Sequence, residues 1–518
     1  VDNTSDLDKP ISTLTQTALD LNASRIVTLL LKNNSTNFND EDLSNLQLSN
    51  ANFKDVNLSS SNLSGSIFEN ADFTNANFFG ANVDNIDITN AIISNTRISQ
   101  NLVNSSILPS NDFTFNTIYS QIGGDIDGDN TNDQSGVSVS LNSDGTIVAI
   151  GALYNDGGPG SNSGLVRIYR NISDVWNQIG NDINGESVND YNGSSVSLSN
   201  DGTIVAIGAY NADGSTGANV GYVRIYENIS DVWTQIGSNI EGEIAGDSSG
   251  FSVTLSSNGT IVAIGARNNS TNGSLSGCVR IYENVSDVWT KIGADINGEG
   301  ASDYSGTTVS LSSDGTTVVI GSPGHDGVSG VNSGNTRIFK NVSNNWVQLG
   351  NTIYGEAFSD NSGNSVSLSD DGTIVAIGAY TNDENGLTNV GKTQIYEYDS
   401  SLDIWTKLGN DIIGEAIADN SGSSVSLSGD GTIVAIGASS NDGTNGNNSG
   451  HVRLYQYISN SWTQIGNDID GENANDFSGH SVCLSNDSST IAIGATHNSF
   501  PSTGHTRIYN IITNATNK

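Results

Sequence analysis

Methionine is absent from the 518-residue chain, cysteine occurs twice, proline five times, and 18 basic residues face 56 acidic ones. Each shortage excludes something. Cys278 and Cys483 cannot build a disulfide framework, and they fall in different copies of the long repeat described below, so no pairing is expected. A net charge of −38 leaves no basic patch for a nucleic-acid backbone and no attraction to an anionic membrane. The longest strongly apolar helical stretch, Ile26 to Leu31, lies between Arg25 and Lys32 and is far too short to span a bilayer. With no Met even at position 1, a cleaved leader is expected. Only 14% of residues are charged, so Asn, Ser, Thr and Gly carry the polarity. Regularly spaced apolar residues and scarce proline speak for a folded chain.

What is present is repetition, in two systems. From Phe38 through Leu43, Leu48, Phe53 and on to Leu108, every fifth residue is apolar, and small residues such as Ala71, Ala76 and Ala81 recur two positions earlier. Neither a helix nor a flat strand has a period of five. A square coil does, with one large and one small inward residue on each side. The pattern, clearest in ENADFTNANFFGAN (69–82), resembles the pentapeptide-repeat family, and the resemblance implies a right-handed quadrilateral β-helix. At about 4.8 Å per stacked layer, fifteen repeats at four per coil make a rod of roughly 18 Å. An amphipathic helix over 11–32 is expected to cap its open end.

The second system has a period near 57. The six tryptophans, Trp176, Trp233, Trp289, Trp346, Trp405 and Trp462, each open a WxQIG-like strand. An acidic linker follows, then SVSLS, a D-G-T turn, IVAIGA, a variable loop and VRIY, which reads as four short strands per unit. The turn occurs seven times, at Asp144, Asp201, Asn258, Asp314, Asp371, Asp430 and Asp487. The last unit lacks its WxQIG strand, while an orphan YSQIG (119–123) precedes the first. Closing the ring with that orphan predicts a seven-bladed β-propeller, whereas a linear solenoid leaves the orphan unexplained. The expected fold class is therefore all-β, with a capped β-helix followed by a propeller. Its parts are an N-terminal segment and cap (1–37), the coil (38–113) and the propeller (114–518).

SGSSVSLS (421–428), VAIGA and GxVRIY resemble the FG-GAP propellers of integrin α-chains. That family's calcium loop, DxDxDG, is replaced here by SxDGT, which is too short to wrap a cation, so its calcium site is not carried over.

The linkers follow GExxxDxSG: Glu186/Asp190, Glu243/Asp247, Glu299/Asp303, Glu356/Asp360, Glu415/Asp419 and Glu472/Asp476, with Asp129/Asp133 in the first. Asp125, Asp182, Asp295, Asp411 and Asp468 precede them. Such hard oxygen ligands make Ca²⁺ the candidate cation, although none is required. Sevenfold copying favours a framework role, each Asp capping the SG turn through backbone N–H groups. Arg167, Arg224, Arg280, Arg337, Arg453 and Arg507 on the VRIY strands are expected to stack or pair blades. The five histidines have no HxxxH or HExxH spacing, no nucleophile elbow is present, and no enzyme is expected. Asn171, Asn228, Asn284 and Asn341 are in-register N-[IV]-S sequons before the Trp strand, with Asn57 and Asn62 on the coil as weaker candidates.

These features lead to an expected extracellular structural or adhesive glycoprotein, a building block of a surface assembly or filament. Its partners would be copies of itself, other surface components or glycans, with no nucleic acid and no membrane insertion. The alternative is a soluble propeller that recognises a glycan or protein, with cation dependence. A DNA-mimic role for the coil fits the attached propeller poorly.

Overall fold

Neither repeat can bury its apolar residues alone, and each finds its cover in a neighbouring copy. In the computed structural model the described residues are Val27, Leu31, 36–99, 102, 107–108, 113–498 and 502–517. Of the helix expected over 11–32, only Val27 and Leu31 lie among them, both helical. The chain divides into two units, one of residues 1–118 and 512–518, the other of 119–511.

In the first unit, parallel bridges join residues twenty apart, from Asn37–Asn57 to Asn77–Arg97, so four pentapeptides complete one coil. Phe53, Leu58, Leu63, Phe68 and Phe73 are wholly buried, with Phe53 and Phe73 stacked at 5.1 Å between ring centroids. Each corner needs a residue with positive φ, and the repeat supplies Asn, Asp or Gly there, as at Asn70, Asn75 and Gly65, with Ser60 the exception among the described corners. Outside, asparagines ladder between coils: Asn57 Nδ2 donates to Asn37 at 3.0 Å, and Asn77 Nδ2 donates to Asn57 at 3.1 Å. Residues Thr513–Ala515 pair antiparallel with Thr96–Ile98.

The second unit is a seven-bladed propeller. Blade two is representative, with strands Ser195–Leu198, Ile204–Ala209, Tyr222–Ile229 and Val232–Gln235 in antiparallel order, plus the short Ile240–Glu241 against the third. The second strand reads IVAIGA without alternation because flanking blades cover both its faces. Val205, Ala206 and Ile207 have no exposed surface.

The first strands form the innermost ring, and hydroxyls bind one blade to the next. Ser195 Oγ donates to Gly250 O at 2.9 Å, Ser424 Oγ to Gly479 O at 2.7 Å, and across the seam Ser481 Oγ donates to Gly136 O at 2.8 Å. In blades one, two, four, five and six, the later Ser of SVSLS accepts the N–H of the next blade's leucine, as Ser197 does from Leu255 at 3.0 Å. Cys483 takes that place in the last blade, and its Sγ accepts from Leu141 N at 3.3 Å.

Each tryptophan reaches the preceding blade in the same way: Trp289 Nε1 donates to Ile236 O at 3.0 Å and Trp462 Nε1 to Leu408 O at 2.8 Å. Tyr119 stands in the missing seventh place, its hydroxyl donating to Ile465 O. The strand Phe113–Gln121 pairs with His505–Asn517, so the N-terminal orphan completes the last blade as its sequence requires.

Candidate functional site

The acidic linkers enter the blades beside the loops between second and third strands, as the Gly164–Asn192 bridge shows, and these segments together form one face. The two acids of GExxxD part company there. The aspartates Asp133, Asp190, Asp247, Asp303, Asp360, Asp419 and Asp476 are at most 3% exposed. Asp190 Oδ2 accepts the N–H groups of Glu186 and Ser187 at 2.9 and 2.8 Å, and the bond recurs at Asp247, Asp303, Asp360, Asp419 and Asp476. Asp133 takes the N–H of Asn130. The cap therefore closes the turn upstream of the aspartate, rather than the SG turn after it. That turn instead depends on glycine: Gly193 has φ +85°, and a Cβ there would stand 2.5 Å from Leu165 O.

The outer acids pair with the VRIY cations. Asp182 lies 2.8 Å from Arg167, which also holds Asp129; Asp295 lies 2.8 Å from Arg280, and Glu415 3.1 Å from Arg453. Glu186, Glu243 and Glu472 sit 3.5–3.8 Å from Arg224, Arg280 and Arg507. In blade five Gln394 stands at the arginine position and Lys392, which opens the strand, meets Glu356 at 2.6 Å; Lys407 holds Asp411, and Asp468 accepts from Gln464. Glu299 accepts from Asn335 at 3.0 Å, while Arg337 donates to Asn297 O at 2.8 Å. Guanidiniums also lie over their strand's aromatic ring, as Arg224 does over Tyr226 and Arg453 over Tyr455. Pairing and stacking thus both occur, between a blade and its adjoining linkers, though not in every blade.

The sequon asparagines Asn171, Asn228, Asn284 and Asn341 are half-buried at the third–fourth strand turn. Oδ1 of the last three accepts a backbone N–H three residues on, at 2.8–2.9 Å, so the sequence is also a turn signal. In the coil, the amides of Asn57 and Asn62 donate along the ladders.

One arc on the linker face breaks the sevenfold pattern. Tyr154, Tyr191, Tyr210 and Phe251 follow one another edge to face or tilted, with ring centroids 5.2–5.6 Å apart. The arc continues through Arg267, whose guanidinium carbon lies 4.4 Å from the Phe251 centroid and 4.9 Å from that of Tyr304. Arg267 is half-buried, its Nε donates to nothing, and it makes no ion pair among the described residues. Burial lowers its pKa without threatening the charge, and burial raises the Tyr210 phenol to about 12. Arg97 of the coil, over Phe79, and Arg337, over Phe339, also lack a carboxylate, but among the described residues of the linker face Arg267 is the arginine with neither an ion pair nor a side-chain hydrogen bond.

Sequence reading missed this arc. Its members come from two places in the repeat, the first or second position after IGA and the residues beside the following blade's linker glycine. The available signal was the run of aromatics at those places in consecutive blades, where the rest of the unit is copied.

Residues 34–65 and 57–95 match the family model of pentapeptide repeats. No curated protein matches the sequence. Among solved structures, hydrazine synthase of Kuenenia stuttgartiensis is 13% identical, covering 72% of this chain and 94% of its own at a TM-score of 0.46. The periplasmic gluconolactonase of Pseudomonas aeruginosa is 15% identical, covering 65% and 85% at a TM-score of 0.43. The expectation that the chain is not an enzyme is corrected on this finding, because its structural neighbours are described as enzymes. At these identities the likeness is one of fold and assigns no reaction to this chain. The first unit thus carries pentapeptide repeats, and the second is a seven-bladed propeller.

Proposed function

We propose that the protein is a propeller binding module whose linker face recognises an acidic glycan. Sugar rings would lie on Tyr191, Tyr210 and Phe251, and a carboxylate would meet the Arg267 guanidinium. The observation that carries this reading is Arg267 itself, a buried-side cation flanked by aromatic rings and lacking a carboxylate of its own. Aromatic side chains give broad, stiff contact area, and a planar guanidinium matches a carboxylate with two parallel hydrogen bonds. The arginines of the VRIY strands are engaged by linker acids or by backbone carbonyls, which leaves Arg267 as the anion's partner on this face.

An extracellular setting belongs to this proposal, supported by the in-register sequons. The FG-GAP likeness of the blades supports a recognition role of the same kind. The building-block reading rests on the presence of two dissimilar units and has no comparable site.

Binding of uronate- and sialate-containing oligosaccharides by calorimetry is the test. Wild type is expected to bind an acidic oligosaccharide more tightly than its neutral counterpart, with Arg267→Ala abolishing the difference and Tyr210→Ala weakening both at least tenfold. Equal affinity of wild type and Arg267→Ala would overturn the reading.

A further inference from the structure

We infer that blades six and seven each bind a divalent transition-metal ion, at His451 with Asp468 and Glu415, and at His505 with Asp125 and Asp127. Each trio presents three ligand atoms within 4.8 Å of one another. These sites are separate from the Arg267 arc and do not rest on its function.

A second departure from the repeat marks these two blades. The short strand after each WxQIG strand pairs with the opening of the blade's third strand. That third strand opens with Leu165, Tyr222, Cys278, Asn335 or Lys392 in blades one to five, and with histidine only in blades six and seven. The short strand reads Asp-Ile-Asp in two places only, 125–127 and 468–470. Register puts these coincidences together: His505 faces Asp127, and His451 faces Asp470. Alternation then sets the first aspartate of each Asp-Ile-Asp on the same face as its histidine. Two independent substitutions thus meet in the same two blades and nowhere else in the ring.

The side chains bear this out. Both histidines are 1% exposed, and the Nε2 atom of each has no hydrogen-bond partner. His451 Nδ1 stands 3.7 Å from Asp468 Oδ2, beyond hydrogen-bond reach. In each trio a buried imidazole with an unpartnered nitrogen stands within reach of two carboxylates, an unfilled ligand position. One imidazole with two carboxylates suits zinc or its neighbours better than calcium, and three protein ligands leave a position open.

Calorimetric titration of the full chain with Zn²⁺, followed by the visible absorption of added Co²⁺, tests the inference. Two ions per chain are expected. His451→Gln and His505→Gln should each remove one, the double variant both, and Asp182→Asn, an acid in a blade without the histidine, neither. Melting curves establish that the variants fold. Should a histidine variant not fold, Asp468→Asn and Asp125→Asn are expected to lose the same ion, and the zinc K-edge spectrum of wild type to show nitrogen ligation. No saturable binding would overturn the inference. Zinc binding unchanged in the folded double variant, or an all-oxygen K-edge spectrum, would do the same.

Discussion

Two carboxylates four residues apart in GExxxD do different work, and the difference is visible one side chain at a time. Asp247 is 1% exposed and accepts from Glu243 N, Ile244 N and Asn269 Nδ2, with Arg280 at 3.3 Å. Glu243 is half-exposed and shares Arg280 and Lys291 with solvent. Asp247→Ala leaves three donors without their acceptor, although Arg280 keeps Asp295, and should cost about 3–5 kcal/mol, whereas Glu243→Gln should cost about 0–1 kcal/mol. Urea denaturation of the two variants would measure the contrast. The Arg167 hydrogen bond holds the Asp182 carboxyl below its ordinary value of 3.8. A depressed carboxylate stabilises the fold above its unfolded pKa, and that stability is lost as pH falls through the folded pKa. Asp182→Asn should therefore lower the Tm modestly at pH 7, and the gap to wild type should close below pH about 4.

At the scale of the element, a coil corner and a blade turn both demand positive φ, and the repeats show how each demand is met. Gly65 has φ +69°, and a Cβ there would stand 2.5 Å from Asn45 Oδ1. Gly65→Ala should cost more than about 1 kcal/mol, a clash added to left-handed strain, whereas Asn70→Gly at an equivalent corner should cost a few tenths or less. Thermal melting followed by circular dichroism would resolve the difference. The coil was legible because a five-residue period is compatible with no helix or flat strand. The four strands of each blade were legible because turn residues bound apolar runs of strand length. The direction of the aspartate cap was not, since an Asp between two turns can serve either one and only the backbone path decides.

Across the whole propeller unit, closure does what no single blade can. The count of seven turns against six tryptophans placed Tyr119 at the seam, and its hydroxyl meets Ile465 O where a tryptophan would otherwise reach. Tyr119→Ala should open that seam first. Hydrogen exchange should show amides of 505–511 losing protection while those of 261–266 keep theirs. The aromatic arc, by contrast, was hidden in the sequence. Tyr191 and Tyr210 are 19 residues apart, Tyr210 and Phe251 41, and only the packing of neighbouring blades makes them one surface. The GExxxD acids recur from repeat to repeat and so drew attention, while the residues that make the face unequal looked like loop variation.

A crystal of the protein soaked with an acidic oligosaccharide would decide whether that unequal face is the binding surface. The expected result is difference density with a carboxylate against Arg267 and a sugar ring on Tyr210 or Phe251, absent from Arg267→Ala crystals soaked alike. Density on another part of the propeller, or no difference between the two crystals, would contradict it.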